Sequence, residues 1–502
     1  IITLICSVTN DYEYCKNFHN FYTKEFIENA FLRIMNEENF CNTLSFCPEG
    51  QEIEDVYDYA LRLLKDKPKD KHKEKIDPTA PTLKMLQVTD IHYDKDYVVN
   101  GTVYCSTPLC CHEPSSQYAR VKSGKFGFVG NCDTNIDLLK SFVEKANELK
   151  PDFIIWTGDN AEHNNWNSTQ ENVYDATETI KDAIDEVFKH SIPIFPVIGN
   201  HENYPNDLWD SDNTIIFERL ADIYKDYFYE DQAYESFKKY GYYTEKLPSS
   251  NLRIIALNCI YCSTVNFLTL ASNHKEAKEE FKWLEEVLRD AEKNNEYVYI
   301  LDHFPINDGY MLNECSKRLR AIFDRFDYII RGYFSGHSHC DDIAAVRTYF
   351  EPRPIININY IAPSLTTDYN PSFRQYIIDS NTKNIIDYEQ YRLNMTDANI
   401  NGVANWTLSH KATELFNVSD LTEMDKMCSI DVEGEYIIKR YADSETGYKL
   451  AHDRKEIKKA KCTIQTDSYH EFYQCTELSM FNSIYKNELV NKISGEWPKN
   501  KE

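Results

Sequence analysis

Five short segments of the chain carry side chains that can bind metal ions. They read TDIH, TGDN, GNHE, DHFP and GHSH, and their candidate ligands are Asp90, His92, Asp159, Asn200, His303, His337 and His339. His337 and His339 are two residues apart, so in an extended segment their side chains point to the same side. One such histidine alone would usually be a solvated surface residue. Five metal-competent segments in one chain instead predict a common metal site.

A site with these ligands suits the hydrolysis of phosphate esters. Two divalent ions about 3.5–4 Å apart can share a hydroxide that forms near neutral pH, and they can hold a phosphoryl oxygen. Imidazole and carboxylate ligands without thiolates favour zinc, and they also bind manganese or iron. We therefore expect two divalent cations as cofactors, with zinc preferred over the other two metals.

The five segments follow short apolar runs that predict buried strands. The runs are LKMLQV, DFIIWT, IPIFPVI, LRIIALN, EYVYIL, FDYII and PIININY, and helix patterns such as NIDLLKSFVEKANELK and AKEEFKWLEEVLRDAEK lie between them. This alternation predicts an α/β domain. Ligands of open α/β sheets gather beyond the carboxyl ends of strands, so segments spread over about 250 residues can converge.

The length of 502 residues exceeds what one hydrophobic core usually holds. Residues 1–64 have apolar residues at helical spacing, as in FYTKEFIENAFLRIM and IEDVYDYALRLL. Residues 65–82 are charged and contain prolines, which predicts a linker about which the helices can move. Residues 83–391 form the predicted catalytic domain. Residues 392–502 return to helical patterns, which predicts a C-terminal helical domain.

The charge of the chain excludes some partners. Lys and Arg total 55 against 81 Asp and Glu, a formal charge of −26, so binding to nucleic acid is not expected. The acidity favours solubility, and adaptation to an acidic compartment is the alternative interpretation.

The chain contains no run of 18 apolar residues, so the sequence predicts no membrane-spanning helix. The start IITLIC lacks the basic flank and the length of a signal peptide, which predicts a processed or trimmed chain.

Cysteines and glycosylation sequons favour an oxidising compartment outside the cytoplasm. The chain has 15 cysteines, and its sequons lie at Asn100, Asn167, Asn394, Asn405 and Asn417. The cluster of Cys105, Cys110, Cys111 and Cys132 contains no repeated Cys-x-x-Cys pair, which favours two local disulfides. A zinc knuckle is the alternative interpretation of this cluster.

The order of the motifs, D-x-H, G-D, G-N-H-[ED], H and G-H-x-H, resembles the calcineurin-like metallophosphoesterase superfamily over residues 83–380. The resemblance implies a sandwich of two mixed β-sheets flanked by helices. It also implies one metal ion held by Asp90, His92, Asp159 and His339, and a second held by Asp159, Asn200, His303 and His337. Purple acid phosphatases have a tyrosine where this chain has Glu162, so a tyrosinate-bound ferric ion is not expected.

Three further segments, CSTPLCC, TGDNAEHNNW and NYIAPSLTTDYNPSFRQYIID, look like the acid sphingomyelinase family. In that family the histidines that match His163 and His201 donate protons to the leaving alcohol, which is a poor leaving group without a general acid. His163 lies four residues after Asp159 and Trp166 lies seven residues after it, and both spacings match the family. Without that match, His163 would be interpreted as a surface histidine.

The same resemblance implies a set of disulfides. The implied pairs are Cys6–Cys15, Cys105–Cys110, Cys111–Cys132, Cys262–Cys315 and Cys462–Cys475. It leaves Cys259, Cys340 and Cys428 unassigned, and Cys340 is interpreted as a buried thiol or as part of a bridge of its own. Residues 1–64 resemble the later part of a saposin-type domain. Cys41 and Cys47 would then have partners upstream of Ile1 or pair with each other, and a disulfide-stapled spacer is the alternative.

The resemblance implies a hydrolase that cleaves sphingomyelin to ceramide and phosphocholine by in-line attack of a hydroxide bound to two metal ions. Its substrate would lie at a membrane surface, and the enzyme would be a secreted or lysosomal glycoprotein and a monomer. Nucleotide or CDP-choline diesters are the alternative substrates. A lipid-binding or receptor-binding protein without turnover is a third hypothesis, disfavoured because all seven metal ligands and both proton donors are present.

Overall fold

A computed structural model describes Lys16 and residues 55–209, 214–266, 268–269, 275–432 and 434–476. The predicted saposin-like region therefore lies mostly outside the described residues. In the described part, two six-stranded sheets carry helices on their outer faces. This is the metallophosphoesterase sandwich that the motifs imply, and the prediction of fold class is confirmed.

The first sheet has the strand order β12-β11-β10-β1-β2-β3. Its strands are β1 (Thr82–Val88), β2 (Phe153–Trp156), β3 (Ile194–Pro196), β10 (Ser372–Asp379), β11 (Ile385–Leu393) and β12 (Trp406–Lys411). Strands β1, β2 and β3 run parallel, and β10, β11 and β12 are added antiparallel. The three parallel strands deliver three of the five metal-competent segments to one edge of this sheet.

The second sheet has the order β4-β5-β6-β7-β9-β8. Its strands are β4 (Tyr243–Lys246), β5 (Leu252–Ala256), β6 (Tyr297–Leu301), β7 (Ile330–Ser335), β8 (Asp342–Arg347) and β9 (Ile355–Ile361). Strands β5, β6, β7 and β9 are parallel, and β4 and β8 are the antiparallel edges. Strands β6 and β7 deliver the remaining two segments.

The helices cover the sheets and form most of the C-terminal region. They are α1 (Val56–Leu64), α2 (Ile136–Glu148), α3 (Gln170–Phe188), α4 (Ile215–Ile223), α5 (Asp231–Tyr240), α6 (Lys275–Lys293), α7 (Asn313–Arg325), α8 (Met395–Asn401), α9 (Ala412–Phe416), α10 (Met424–Met427), α11 (Glu435–Arg440), α12 (Glu445–Leu450), α13 (Arg454–Gln465) and α14 (Tyr469–Thr476). Strand β2 is apolar at all four positions because both of its faces are buried. Within the described ranges, no helix combines the length and apolarity that crossing a bilayer requires.

The strand before the GHSH segment differs from the predicted one. The apolar run FDYII, residues 326–330, lies mainly in the turn after α7, and β7 begins at its last residue, Ile330. Arg331 and Gly332 interrupt the apolar pattern that would predict this strand. Arg331 is nevertheless buried, and its guanidinium lies 4.5 Å from the centre of the Tyr297 ring. His337 therefore follows the observed strand by two residues.

The region after residue 392 is not wholly helical. Strand β11 extends to Leu393, across the predicted domain boundary, and β12 then adds a sixth strand to the first sheet. Trp406 at the start of β12 packs against Phe142 and Phe373, with ring centres 6.4 and 5.2 Å apart. This aromatic contact holds the C-terminal region to the catalytic sheet.

The predicted linker lies against the catalytic domain over its described residues. The carboxylate of Asp66 pairs with Arg325 at 2.9 Å, and the Lys67 ammonium lies 2.8 Å from a carboxylate oxygen of Asp324. The backbone N–H of Asp77 donates to Asp379 over 2.6 Å. The charges that suggested solvation therefore pair with charges of the catalytic domain, and the prediction that the predicted N-terminal helices move about this segment stays a prediction.

Helix α1 gives a direct test of this attachment. Leu63 is fully buried in the main core, whereas Leu61 on the same helix is 45% exposed. Leu63→Ala should lower the free energy of unfolding by about 2–5 kcal/mol, since it removes buried methyl groups and leaves a cavity. The matched change Leu61→Ala should cost less than about 1 kcal/mol. Denaturant unfolding of the two variants measures the difference, and equal small effects would show that α1 is not docked.

Four disulfides lie within the described residues. They are Cys105–Cys110, Cys111–Cys132, Cys262–Cys315 and Cys462–Cys475, the pairs that the resemblance implies. Cys259, Cys340 and Cys428 are buried free thiols, and Cys6, Cys15, Cys41 and Cys47 lie outside the described residues. The zinc-knuckle interpretation is wrong, because all four of its cysteines are oxidised in pairs. Disulfides of this number are typical of an oxidising compartment.

Candidate metal centre and proton donors

The seven predicted metal ligands converge beyond the ends of five strands that belong to both sheets. His92 forms a group without a carboxylate together with His163 and His201, and two further groups each include an aspartate. In every group the potential ligand atoms lie within 4.8 Å of one another. Of the two groups with an aspartate, one contains Asp90, His92 and His339, and the other contains Asp159, His303 and His337. This is the division that the superfamily motifs imply, although the metal roles themselves stay predictions.

The two aspartates lie between the groups. Oδ2 of Asp159 is 3.6 Å from His92 Nε2 and 3.2 Å from His303 Nε2, so this carboxylate reaches both sides. Oδ1 of Asp90 is 3.3 Å from His339 Nε2 and 3.8 Å from His303 Nε2. Asn200 joins the second group through its side-chain oxygen, 3.1 Å from His303 Nε2. Asp159 thus lies between the two groups, which agrees with the bridging role that the resemblance implies.

Hydrogen bonds orient the imidazole rings. Nδ1 of His92 donates to the carbonyl of Ala161 over 2.8 Å, and Nδ1 of His303 donates to the carbonyl of Thr157 over 2.7 Å. Both bonds leave Nε2 as the atom that faces the cluster. Partners of this kind fix the tautomer and the ring orientation of metal-binding histidines.

The backbone at the ligands is unusual. The φ angles of Asp90, His92, Asp159, His337 and His339 lie between 44° and 65°, in the left-handed region. Non-glycine residues rarely occupy this region, and such strain collects at functional sites. Five of the seven predicted ligands have this left-handed backbone. The backbone conformation therefore indicates a functional site by an argument that does not depend on the chemical type of the side chains.

Neighbouring loops hold this backbone in place. The buried carboxylate of Glu202 accepts hydrogen bonds from the backbone N–H groups of Asp159 at 3.0 Å, Asn160 at 2.6 Å and Gly199. Burial and the nearby Asp159 carboxylate together raise the pKa of Glu202 to about 7, against the opposing effect of the N–H donors. A Cβ atom at Gly158 would lie 2.6 Å from the nitrogen of Gly199, so only glycine allows the loops to approach this closely.

The donor set fits two transition-metal cations. Asp90, His92, Asp159 and His303 are each at most 1% exposed, and burying two carboxylates is costly unless positive charge compensates them. Imidazole nitrogens with carboxylate and amide oxygens suit zinc, manganese and iron. Cys340 follows His339 but stays outside both groups as a buried free thiol.

His163 stands beside this cluster and is held by a carboxylate. Its Nδ1 lies 2.9 Å from Asp133 Oδ1, and its backbone N–H donates to Asp133 Oδ2 over 2.7 Å. Burial lowers the pKa of His163, but the Asp133 carboxylate, together with the more weakly acting Asp368, raises it above its usual value. The ring stacks on His92 with centres 3.8 Å apart, and the side chain remains 32% exposed. His163 can therefore carry a proton to a group bound at the metal ligands.

His201 has a different environment. Its backbone N–H donates to Asp159 over 2.9 Å, and its Nδ1 accepts a hydrogen bond from the side-chain amide of Asn206. Burial lowers the pKa of His201 to about 4, so the ring is neutral at neutral pH. With Nδ1 occupied as an acceptor, the ring proton resides on Nε2. His201 can thus donate a hydrogen bond without a net charge.

Four residues that support the site were not singled out from the sequence. They are Asp133, Glu202, Asn206 and Asp368, and Asp368 lies 2.6 Å from His339 Nδ1. Glu202 and Asp368 lie inside the segments GNHE and TTDYN, but nothing in those segments indicates what their carboxylates contact. Asp133 precedes His163 by 30 residues. Only the fold brings that carboxylate to the imidazole.

A two-sheet sandwich with clustered metal ligands at its strand ends defines a metal-dependent phosphoesterase. The chain belongs to the acid sphingomyelinase family within the calcineurin-like phosphoesterases. The family model for calcineurin-like phosphoesterase matches residues 83–341, and the model for the acid sphingomyelin phosphodiesterase C-terminal region matches residues 348–432. The second match includes β12, the strand that the sequence patterns did not predict.

Curated relatives of the chain include enzymes of two kinds. Sphingomyelin phosphodiesterase B of Dictyostelium discoideum is 28% identical over 89% of this chain and 73% of its own length. Human sphingomyelin phosphodiesterase is 30% identical over 67% of this chain, which spans only 55% of that protein. Cyclic GMP-AMP phosphodiesterase SMPDL3A of Bos taurus is 30% identical over 75% of this chain and 85% of its own length.

Proposed function

We propose that this chain is a sphingomyelin phosphodiesterase that releases ceramide and phosphocholine. The observation that carries the proposal is the position of His163, stacked on the metal ligand His92 and paired with Asp133. The alkoxide of ceramide is a poor leaving group and needs a general acid. The residue that can supply its proton lies directly beside the predicted metal ligands.

The metal ligands would be Asp90, His92, Asp159 and His339 for one ion, and Asp159, Asn200, His303 and His337 for the other. Two bound divalent ions supply a nucleophile from water and neutralise the charge of the phosphate. We propose zinc for both, since the ligands are mainly imidazoles.

The protein side chains have separate tasks in this mechanism. His163 holds the proton that passes to the ceramide oxygen as the P–O bond breaks, and Asp133 stabilises the protonated ring and fixes its orientation. His201 donates a hydrogen bond through Nε2–H to an oxygen of the reacting phosphodiester, because Asn206 occupies its other nitrogen. Water adds to phosphorus, so the products are ceramide and phosphocholine.

The compartment is proposed as secreted or lysosomal and the enzyme as a monomeric glycoprotein. Four disulfides support an oxidising environment. Four of the five sequon asparagines are exposed, namely Asn100, Asn167, Asn405 and Asn417, and Asn394 is half-buried at the start of α8. The formal charge of −26 supports the exclusion of nucleic acid as a partner.

A nucleotide diester is the second candidate substrate, and the match to bovine SMPDL3A favours it. The purified full chain with added zinc should be assayed on sphingomyelin in detergent micelles and on a cyclic dinucleotide. We expect kcat/KM for sphingomyelin to exceed that for the dinucleotide by at least about tenfold, a difference of about 1.4 kcal/mol in transition-state binding. Phosphocholine release should be lost when the zinc is chelated. A preference of the same size for the dinucleotide would replace our proposal with the second candidate.

A further inference from the structure

The loop between β6 and α7, residues 302–312, carries more than the predicted metal ligand His303. It continues past that histidine to Asp308 and Tyr310, and both of these residues pack against His337. Oδ1 of Asp308 lies 3.7 Å from His337 Nε2, and the ring centres of Tyr310 and His337 are 4.7 Å apart. The loop therefore places a carboxylate and an aromatic ring beside the ligands predicted for the second ion.

Hydrogen bonds hold this loop in one conformation. The N–H of Tyr310 donates to Oδ1 of Asp308 over 2.7 Å, and the carbonyl of Tyr310 accepts from the N–H of Thr264 over 2.8 Å. The buried side-chain amide of Asn307 donates to the carbonyl of Thr463 over 2.8 Å, which ties the loop to α13. Side chains on a loop that is fixed in this way need not be ordered when a ligand binds.

Two further side chains lie at the same place. Tyr469 of α14 packs on the loop, because a Cβ atom at Gly309 would lie 3.2 Å from its ring. Oδ1 of Asp207 is buried and has no hydrogen-bond partner among the described residues. Burial and the carboxylates of Asp207 and Asp308 raise the pKa of Tyr310, which places both carboxylates near its hydroxyl. We call Asp207, Asp308, Tyr310 and Tyr469 the acidic–aromatic face.

The acidic–aromatic face has the chemistry of a site for an organic cation. Within the described ranges, neither Asp207 nor Asp308 is paired with a lysine or an arginine. A carboxylate removed from water is costly unless a positive charge compensates it. Aromatic rings bind quaternary ammonium groups over their faces. Tyr310 is 38% exposed, so a ligand can reach its ring from solvent.

We propose that the acidic–aromatic face binds the quaternary ammonium group of a phosphocholine ester and favours it over an uncharged group of the same shape. The inference rests on the proposed function, which supplies such an ester as substrate. His163, the proposed proton donor to the ceramide oxygen, stacks on His92 beside the predicted first ion, whereas the face adjoins His337 beside the second. The two alcohol arms of the phosphodiester therefore have separate places. A second phosphate of a cyclic dinucleotide would be repelled by the two carboxylates.

Two soluble diesters isolate this recognition. Nitrophenyl phosphorylcholine carries the quaternary ammonium group, and nitrophenyl neohexyl phosphate has carbon in place of that nitrogen, so it keeps the shape and loses the charge. The full chain with added zinc should have a kcat/KM at least about tenfold higher for the choline ester. The difference should lie in KM, because the ammonium group is remote from the bond that breaks and is bound equally in substrate and transition state.

Variants of the face should lower this ratio of kcat/KM values. Tyr310→Leu and Asp308→Asn should each reduce it about fivefold, whereas Tyr310→Phe should keep it, since the aromatic ring is retained. The matched controls are Tyr448→Leu, at a position that is 61% exposed on α12, and Asp290→Asn, at an exposed position on α6. Both controls should keep the wild-type ratio. Every variant should retain two equivalents of metal, measured on the same preparation.

Several outcomes would overturn the proposal. They are an equal kcat/KM for the two diesters in the wild type, a ratio that Tyr310→Leu and Asp308→Asn leave unchanged, and a ratio that falls as much in the controls. A loss of metal in Asp308→Asn would also overturn it, because the carboxylate would then serve the ion. The proposed function is tested separately. A preference for the choline ester in an enzyme that leaves sphingomyelin in micelles intact would contradict the proposed substrate and not this binding site.

Discussion

Replacing Asp159 with asparagine is expected to abolish phosphodiester cleavage and to lower the bound metal below two equivalents. The carboxylate lies within 3.6 Å of imidazole nitrogens from both groups, and its backbone position is fixed by Glu202. An amide of the same size preserves packing but removes the charge that both ions need. We expect a loss of at least about 10³-fold in kcat on any phosphodiester, with the metal content measured on the same preparation.

The control for this experiment is Asp182→Asn, which makes the same chemical change at an exposed position on α3. That variant should keep two equivalents of metal and the wild-type rate. His337→Ala should also abolish cleavage and lower the metal content. It removes a ligand of the second group only, but the reaction needs both ions. Two equivalents of metal with full activity in either site variant would refute the assignment of the metal ligands.

Replacing His163 with alanine is expected to cost about 10² to 10⁴ in rate on sphingomyelin, the usual contribution of a general acid. A nitrophenyl phosphodiester has a leaving group that departs without a proton, so its rate should fall far less. The comparison of the two substrates in the same variant separates proton donation from binding. The metal content should stay at the wild-type level, because His163 is not among the seven predicted metal ligands. A loss of metal would show instead that the group of His92, His163 and His201 binds an ion.

Asp133→Asn supplies the matched test of the imidazole environment. The amide can keep the hydrogen bond from the His163 backbone but no longer stabilises the protonated ring. The loss on sphingomyelin should be smaller than that of His163→Ala and should show the same dependence on the leaving group. If both substrates lose activity equally in His163→Ala, the residue positions the substrate and does not protonate it.

The sequence predicted the site better than it predicted the elements around it. Motif spacing and strand-end positions pointed to seven side chains that lie close together in the fold, because metal ligands are of few chemical types, and their roles as ligands stay predictions. The apolar run FDYII before GHSH ends at Ile330, whereas β7 continues through the buried Arg331 and Gly332 to Ser335, so the apolar pattern alone gives wrong bounds for this strand. Stacking of the Arg331 guanidinium on Tyr297 is a tertiary effect that no local pattern contains.

Long-range carboxylates were the other class of residue that sequence patterns could not assign. Asp133 and Asp368 are 30 and 29 residues from the histidines that they contact. An aspartate in a loop is ordinary, so its role becomes visible only when the partner is known. The predicted linker is a further case in which local sequence did not show the contacts. Its charged residues suggested solvation, but Lys67 pairs with Asp324 and Asp66 pairs with Arg325.

The left-handed backbone of five predicted metal ligands has a consequence for how this protein can be made more stable. Each such residue costs about 1–3 kcal/mol, so the five together cost on the order of 5–15 kcal/mol, a sum comparable to the stability of a whole domain. Glycine at these positions would relieve the backbone while removing a ligand. Selection for heat resistance alone would therefore favour variants that lose activity first at the metal centre. An engineered thermostable variant must instead gain its stability elsewhere, for example in the packing of α1 or β12.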